Sequence, residues 1–125
     1  MALTMLPPSA RPGRGLRSVL ATPVWREEGA RAVVLIGGEA DVSVCSALYE
    51  VLARVINSST GDVVIDLAEA TFIDTAAVRV LANGQRMLDR CGRKLTFRSP
   101  SPPAERVLEL FGLADCIEQP RRSQR

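Results

Sequence analysis

Histidine is absent from this 125-residue chain. That absence removes a Ser-His-Asp triad, a Cys-His dyad and every metal site that relies on imidazole. Aromatic residues make up only 4% of the chain, and none is interleaved with a basic patch, so a nucleic-acid surface is not expected. Lysine occurs once, as Lys94. Cysteine occurs three times, at Cys45, Cys91 and Cys116. An odd number without regular spacing excludes a secreted disulfide framework, and no pair has the spacing of zinc ligands. No apolar run approaches the roughly 20 residues of a membrane span. The first ten residues are uncharged, but Pro7 and Pro8 break them and no basic segment precedes them, which is not the pattern of a signal peptide. Internal repeats are also missing. Together these absences predict a cytoplasmic protein with reduced thiols, no metal, no cofactor and no catalytic residues, and so not an enzyme.

What is present fits one domain. The length supports a single core, and 46% hydrophobic with 24% charged residues is ordinary for a globular protein. The net charge of +2 hides an uneven distribution. Arg11, Arg14 and Arg17 stand near one end without acids, as do Arg121, Arg122 and Arg125 at the other. Residues 19–118 carry ten basic and fourteen acidic side chains, so the domain itself is acidic. Residues 1–16 are expected to be a disordered basic leader, 17–118 the domain, and 119–125 a basic tail.

The chain is organised around DVVIDLAEATFIDTAAVRVL, residues 62–81. Val63, Val64, Ile65 and Leu67 form a short β-branched run that suits a strand covered on both faces. Phe72 and Ile73 follow as a second apolar contact. Asp74 has the side chain of a helix N-cap, and behind it Ala77, Val78, Leu81 and Leu88 recur at helical spacing. An acid and a hydroxyl, Asp74 and Thr75, thus stand where a sheet hands over to a helix, which is where open α/β folds place their working surface.

This stretch resembles the central motif of the STAS family, the domain of sulfate transporters and anti-sigma-factor antagonists. Ile65-Asp66-Leu67 matches the strand that ends in Asp-Leu. Phe72-Ile73-Asp74-Thr75-Ala76-Ala77-Val78 stands where that family has Phe-Ile-Asp-Ser-Ser-Gly-Leu. The second Ser is Ala76 and the Gly is Ala77. A second resemblance is Gly38-Glu39-Ala40-Asp41, similar to Gly-Glu-Leu-Asp between the second strand and the first helix. A third is Val107-Leu108-Glu109-Leu110-Phe111-Gly112-Leu113, similar to the family's closing helix. The resemblance implies an α/β fold: a mixed β-sheet of four to five strands with helices packed mainly on one face. The implied order is two strands, helix, strand, helix, strand, helix, strand and a fourth helix.

The rest of the chain reads consistently. Ser18–Glu27 has strand residues, with Pro23 confining it to an edge or bulge. Glu28-Gly29-Ala30 is a turn, and Ala32–Ile36 a central strand paired with the first as a hairpin. Gly37–Asp41 reads as a loop, with Asp41 or Ser43 capping the next helix. Val44, Leu48, Val51, Leu52 and Val55 share one helical face. Asn57–Gly61 are turn residues. Gly92 is expected as a left-handed cap, Arg93–Arg98 as a half-exposed strand, and Ser101 with Pro102 as a helix start. Gly112 stops that helix, and Cys116-Ile117 is expected as a last short strand.

The resemblance implies a binding module that acts by competition. Its partner would be an anti-sigma factor of the histidine-kinase-like ATPase class, and its effect the release of a sigma factor. Nucleic acid and membrane are not expected as partners, and the chain is expected as a monomer or weak dimer. Glu39, Asp41, Asp74, Thr75, Ala76 and Ala77 are the implied partner-binding residues. In many phosphorylated antagonists the acceptor is the second Ser of the motif, here Ala76, which leaves Thr75 as the candidate phosphoacceptor. Thr75 read simply as an exposed first-turn residue, with Asp74 only a cap, stands beside that. A different class of function is a non-switching STAS subunit of a larger assembly, stressosome-like or lipid-transporting. A receiver domain phosphorylated on aspartate fits less well, because Lys94 begins a strand. Cys45 lies near a helix N-terminus, where the dipole favours a thiolate, and is a candidate redox residue beside its default as a small core residue.

Overall fold

The computed structural model describes residues 23–118. The expected leader, 1–16, the tail, 119–125, and the fourth helix lie outside these residues. Four strands form the main sheet: β1 (Val24–Glu28), β2 (Arg31–Leu35), β4 (Val63–Asp66) and β6 (Leu95–Arg98), in the spatial order β1-β2-β4-β6. β1 and β2 are an antiparallel hairpin turning on Gly29, and the other pairings are parallel. β3 (Gly38–Ala40) and β5 (Ala70–Ile73) form a separate two-stranded parallel sheet. α1 (Cys45–Ser58), α2 (Thr75–Arg90) and α3 (Pro102–Leu110) complete the domain, with a 3₁₀ turn over Val42–Val44 leading into α1. This is the mixed sheet the sequence implied, with two corrections. The segment read as a loop around Gly38 and the apolar contact at Phe72-Ile73 pair as strands, because Gly38–Ala40 meets Ala70–Ile73 across a bulge between Gly38 and Glu39 and leaves Ala40, Ala70 and Ile73 buried. The expected last strand at Cys116-Ile117 is a 3₁₀ turn, Ala114–Cys116, followed by a single bridge from Ile117 to Phe97.

Alternation along the strands separates two faces. Ala32, Val34, Ile36, Val63, Ile65, Leu95 and Phe97 belong to the main core, where they meet α1 through Leu48, Leu52 and Val55 and α2 through Val78, Leu81 and Leu88. Val33 and Val64 point the other way and are still fully buried. Arg98 helps explain this. Although β6 and β1 are opposite edges of the sheet, its guanidinium lies 3.0 Å from the Glu28 carboxylate, so the two side chains together span the face that Val33 and Val64 share. Glu118 bridges Arg98 at 3.4 Å and Arg31 at 2.9 Å, which closes the network over that face. Long basic stems cover apolar surface while their heads stay wet.

The turns follow the residues expected of them. Gly92 and Gly112 adopt φ of 74° and 76°, and in each case the next residue donates its amide back to a leucine carbonyl of the last helical turn. Ser101 accepts from the amide of Ala104 at 3.3 Å and starts α3 with Pro102. Gly61 has a different role: a Cβ built on it would lie 1.9 Å from the carbonyl oxygen of Ala30, so two backbones touch where only hydrogen fits.

Candidate functional site

The small parallel sheet brings the two acidic motifs together. Ala40 pairs with Ile73, so the residues that follow, Asp41 and Asp74, leave neighbouring strand ends on the same edge of the fold. Neighbouring strands run about 4.8 Å apart, which sets the separation of the two backbones at that point. The amide of Asp74 donates to the carbonyl of Ala40 at 2.8 Å and locks one strand end to the other.

Each aspartate then caps its own helical segment. Asp41 accepts from the amide of Ser43 at 3.0 Å and from its hydroxyl at 2.6 Å, which starts the 3₁₀ turn before α1. The Ser43 hydroxyl, with the Ser43 amide behind it, holds the Asp41 carboxyl below its ordinary range. Asp74 accepts from the amide of Thr75 at 2.8 Å and starts α2. Two carboxylates at the positive ends of two helical segments are electrostatically favoured there. Thr75 is exposed at the first position of α2, beside Asp74.

The implied site residues divide on burial. Glu39 and Thr75 are exposed, and Asp41, Asp74 and Ala76 are half-buried at the same edge. Ala77 is a correction: it is fully buried and faces the core, because it begins the apolar stripe that Val78 and Leu81 continue. Cys45 is half-buried with its sulfur 4.0 Å from the carbonyl of Asp41. Burial, then the charges of Asp74 and Asp41, push its thiol up, opposite to the effect of a helix N-terminus alone, so the thiol form is favoured.

Two apolar residues at this edge were not singled out as site residues. Val42 is 67% exposed and Phe72 49% exposed. Phe72 pairs with Glu39 across the small sheet and is exposed while Ile73 is buried, and two adjacent apolar residues carry no sequence signal of which one faces outward. The edge thus presents carboxylates, a hydroxyl and two apolar side chains. Among the described residues no group of three or more His, Cys, Asp or Glu could hold a metal, and no helix is long and apolar enough to cross a membrane. The arrangement can bind a protein surface and can place a modified hydroxyl next to fixed negative charge.

Comparison with known proteins agrees with this fold. The family model described as Mlab, STAS domain matches residues 25–119. An anti-sigma-B factor antagonist of Staphylococcus epidermidis is 28% identical over 84 residues, covering 67% of this chain and 78% of that protein. An anti-sigma factor antagonist from Mycobacterium paratuberculosis superposes with a TM-score of 0.73 at 22% identity, over 83% of this chain and 90% of that one. The anti-sigma factor antagonist SpoIIAA in its unphosphorylated form gives a TM-score of 0.69 at 14% identity, over 82% and 90%.

Proposed function

Because the chain belongs to the STAS domain family, we propose that it is an anti-sigma-factor antagonist, a cytoplasmic binding protein and not an enzyme. Its partner is an anti-sigma factor of the histidine-kinase-like ATPase class, and its binding frees a sigma factor. The observation that carries this reading is the paired end of β3 and β5, which places Asp41, Asp74 and Thr75 on one accessible edge beside exposed Phe72 and Val42. Apolar side chains ringed by polar groups are the usual anatomy of a protein contact.

Thr75 is the proposed control point. A hydroxyl at a helix N-terminus lies among first-turn amides, which favour a phosphate. The partner kinase would transfer the γ-phosphoryl group of ATP to the Thr75 oxygen; ADP leaves and the hydroxyl proton is released. The product carries close to two negative charges beside Asp74 and Asp41, and these must be desolvated at a tight contact. Binding weakens while the fold stays unchanged.

Intact-mass spectrometry after incubation with the cognate kinase and ATP tests the control point. The reading requires one phosphate, mapped to Thr75, and Thr75→Glu should bind the partner more weakly than Thr75→Ala. One glutamate carries less charge than a phosphate, so its effect is partial. Ala76 at the family's usual acceptor position favours a second reading, a constitutive subunit of a larger STAS assembly. In that case no residue gains mass, and co-purification from the native cell recovers assembly subunits in place of an anti-sigma factor.

A further inference from the structure

α1 and α2 lie side by side over the sheet, and a groove runs between them away from the Asp41–Asp74 edge. Its floor is Leu52, Ala53, Ile56, Val80 and Gly84. Gly84 makes it narrow: a Cβ there would stand 3.3 Å from a methyl of Leu52, so the two helices approach closely. Tyr49 and Met87 stand on its rims, 65% and 48% exposed. The free cavity is about 40 Å³, room for the end of one apolar side chain at a time.

The rims differ in charge. At helical spacing, Arg86 and Arg90 lie next to Asn83 and Met87 on the α2 side, and both are exposed. Neither joins an ion pair among the described residues, where the ion pairs all lie on the sheet face and its flank. Asp89 falls on the other side of α2. The α1 rim carries one charge of each sign, Glu50 and Arg54. The domain is acidic as a whole, yet this groove has a basic border.

We infer that this groove is a second docking surface, whose occupant is an amphipathic helix of another protein. One of its apolar side chains seats between Tyr49 and Met87, and its carboxylates lie over Arg86 and Arg90. Helix-in-groove recognition reads apolar anchors at i, i+3 or i+4, and i+7, and the lining residues Tyr49, Ala53 and Ile56 on α1 and Val80, Gly84 and Met87 on α2 follow the same spacing. The border charge selects the occupant's flank and speeds its encounter. The inference does not rest on the reading of Thr75, since none of the groove residues belongs to that edge.

The full chain, labelled with nitrogen-15, tests it by titration with a synthetic 14-residue amphipathic helix that carries leucines at those spacings and glutamates along one flank. The expected result is chemical-shift change centred on Tyr49, Ala53, Val80, Gly84 and Met87, with Thr75 and Asp74 unmoved. A peptide with lysines in place of the glutamates should bind about tenfold more weakly, the sum of two or three rim contacts. In the variant R86E/R90E that preference should reverse. Equal binding of both peptides, or shifts centred elsewhere, overturns the inference. So do shifts at the groove that grow with protein concentration alone, which would make a second copy the occupant.

Discussion

Replacing Arg93 by alanine should destabilise the domain from the end opposite the acidic edge. Arg93 enters β6 from α2, and its guanidinium turns back to the end of α1. Nε donates to the carbonyl of Gly61 at 2.9 Å, Nη1 to that of Ile56 at 3.0 Å, and Nη2 to the hydroxyl of Ser59 at 3.1 Å. The carbonyl of Ile56 belongs to the last turn of α1, where no intrahelical donor remains and a cation is favoured. Hydrogen bonds to a charged group contribute about 1.5–3 kcal/mol each when buried. Arg93 is half-buried, and water replaces part of what is lost, so the net effect of all three is about 2–3 kcal/mol. For a domain of this size that lowers Tm by on the order of 10–20 °C. Arg93→Lys keeps the charge near the helix end but not the fork, and should recover less than half of the loss. Thermal melts followed by circular dichroism measure both variants. A double-mutant cycle with Ser59→Ala should show coupling of about 0.5–1 kcal/mol. A fall in Tm of less than about 3 °C for Arg93→Ala would refute the reasoning.

Gly61→Ala should cost about 2–4 kcal/mol, since its Cβ would fall 1.9 Å from the Ala30 carbonyl and must pry apart the two turns beneath β2 and β4; a melt within error of wild type would show that the turns yield freely. Asp74→Asn keeps a side-chain acceptor for the Thr75 amide and should melt like wild type while binding its partner more weakly, whereas Asp74→Ala also loses the cap, about 1 kcal/mol; unchanged partner affinity for the asparagine variant would remove the carboxylate from the contact. The Arg98 hydrogen bond holds the Glu28 carboxyl below its ordinary value of 4.5, so the stabilisation from Glu28 is complete above that pH and is lost as pH falls through the lower folded-state value. The Tm difference between wild type and Glu28→Gln should therefore shrink as pH falls below 4.5, and a constant difference would contradict the ion-pair account.

Much of this was legible in the sequence because it is encoded locally. The β-branched run at Val63–Ile65, the cap at Asp74, the stripe from Ala77 to Leu88 and the glycines at 92 and 112 are each read within one or two turns of chain. The small sheet was not legible. Its strands are three and four residues long, and Glu39 and Phe72 become neighbours only after some thirty intervening residues have folded. Arg93 had no local signature either, because its partners at 56, 59 and 61 lie more than thirty residues earlier. The same holds for Arg98 and Glu28, whose 3.0 Å contact spans the whole sheet. For the candidate site, the motif pointed to Asp41, Asp74 and Thr75, and the fold supplied what the motif could not: which of their neighbours face outward. Ala77 turned inward, and Phe72 and Val42 turned out.

Competition for the anti-sigma factor tests the central claim most directly. A fluorescent sigma factor bound to its anti-sigma ATPase is titrated with the full chain, and anisotropy reports the free sigma factor. The account predicts stoichiometric release by wild type and by Thr75→Ala, and markedly weaker release by Thr75→Glu. A complex that keeps its sigma factor at saturating wild-type protein would contradict it.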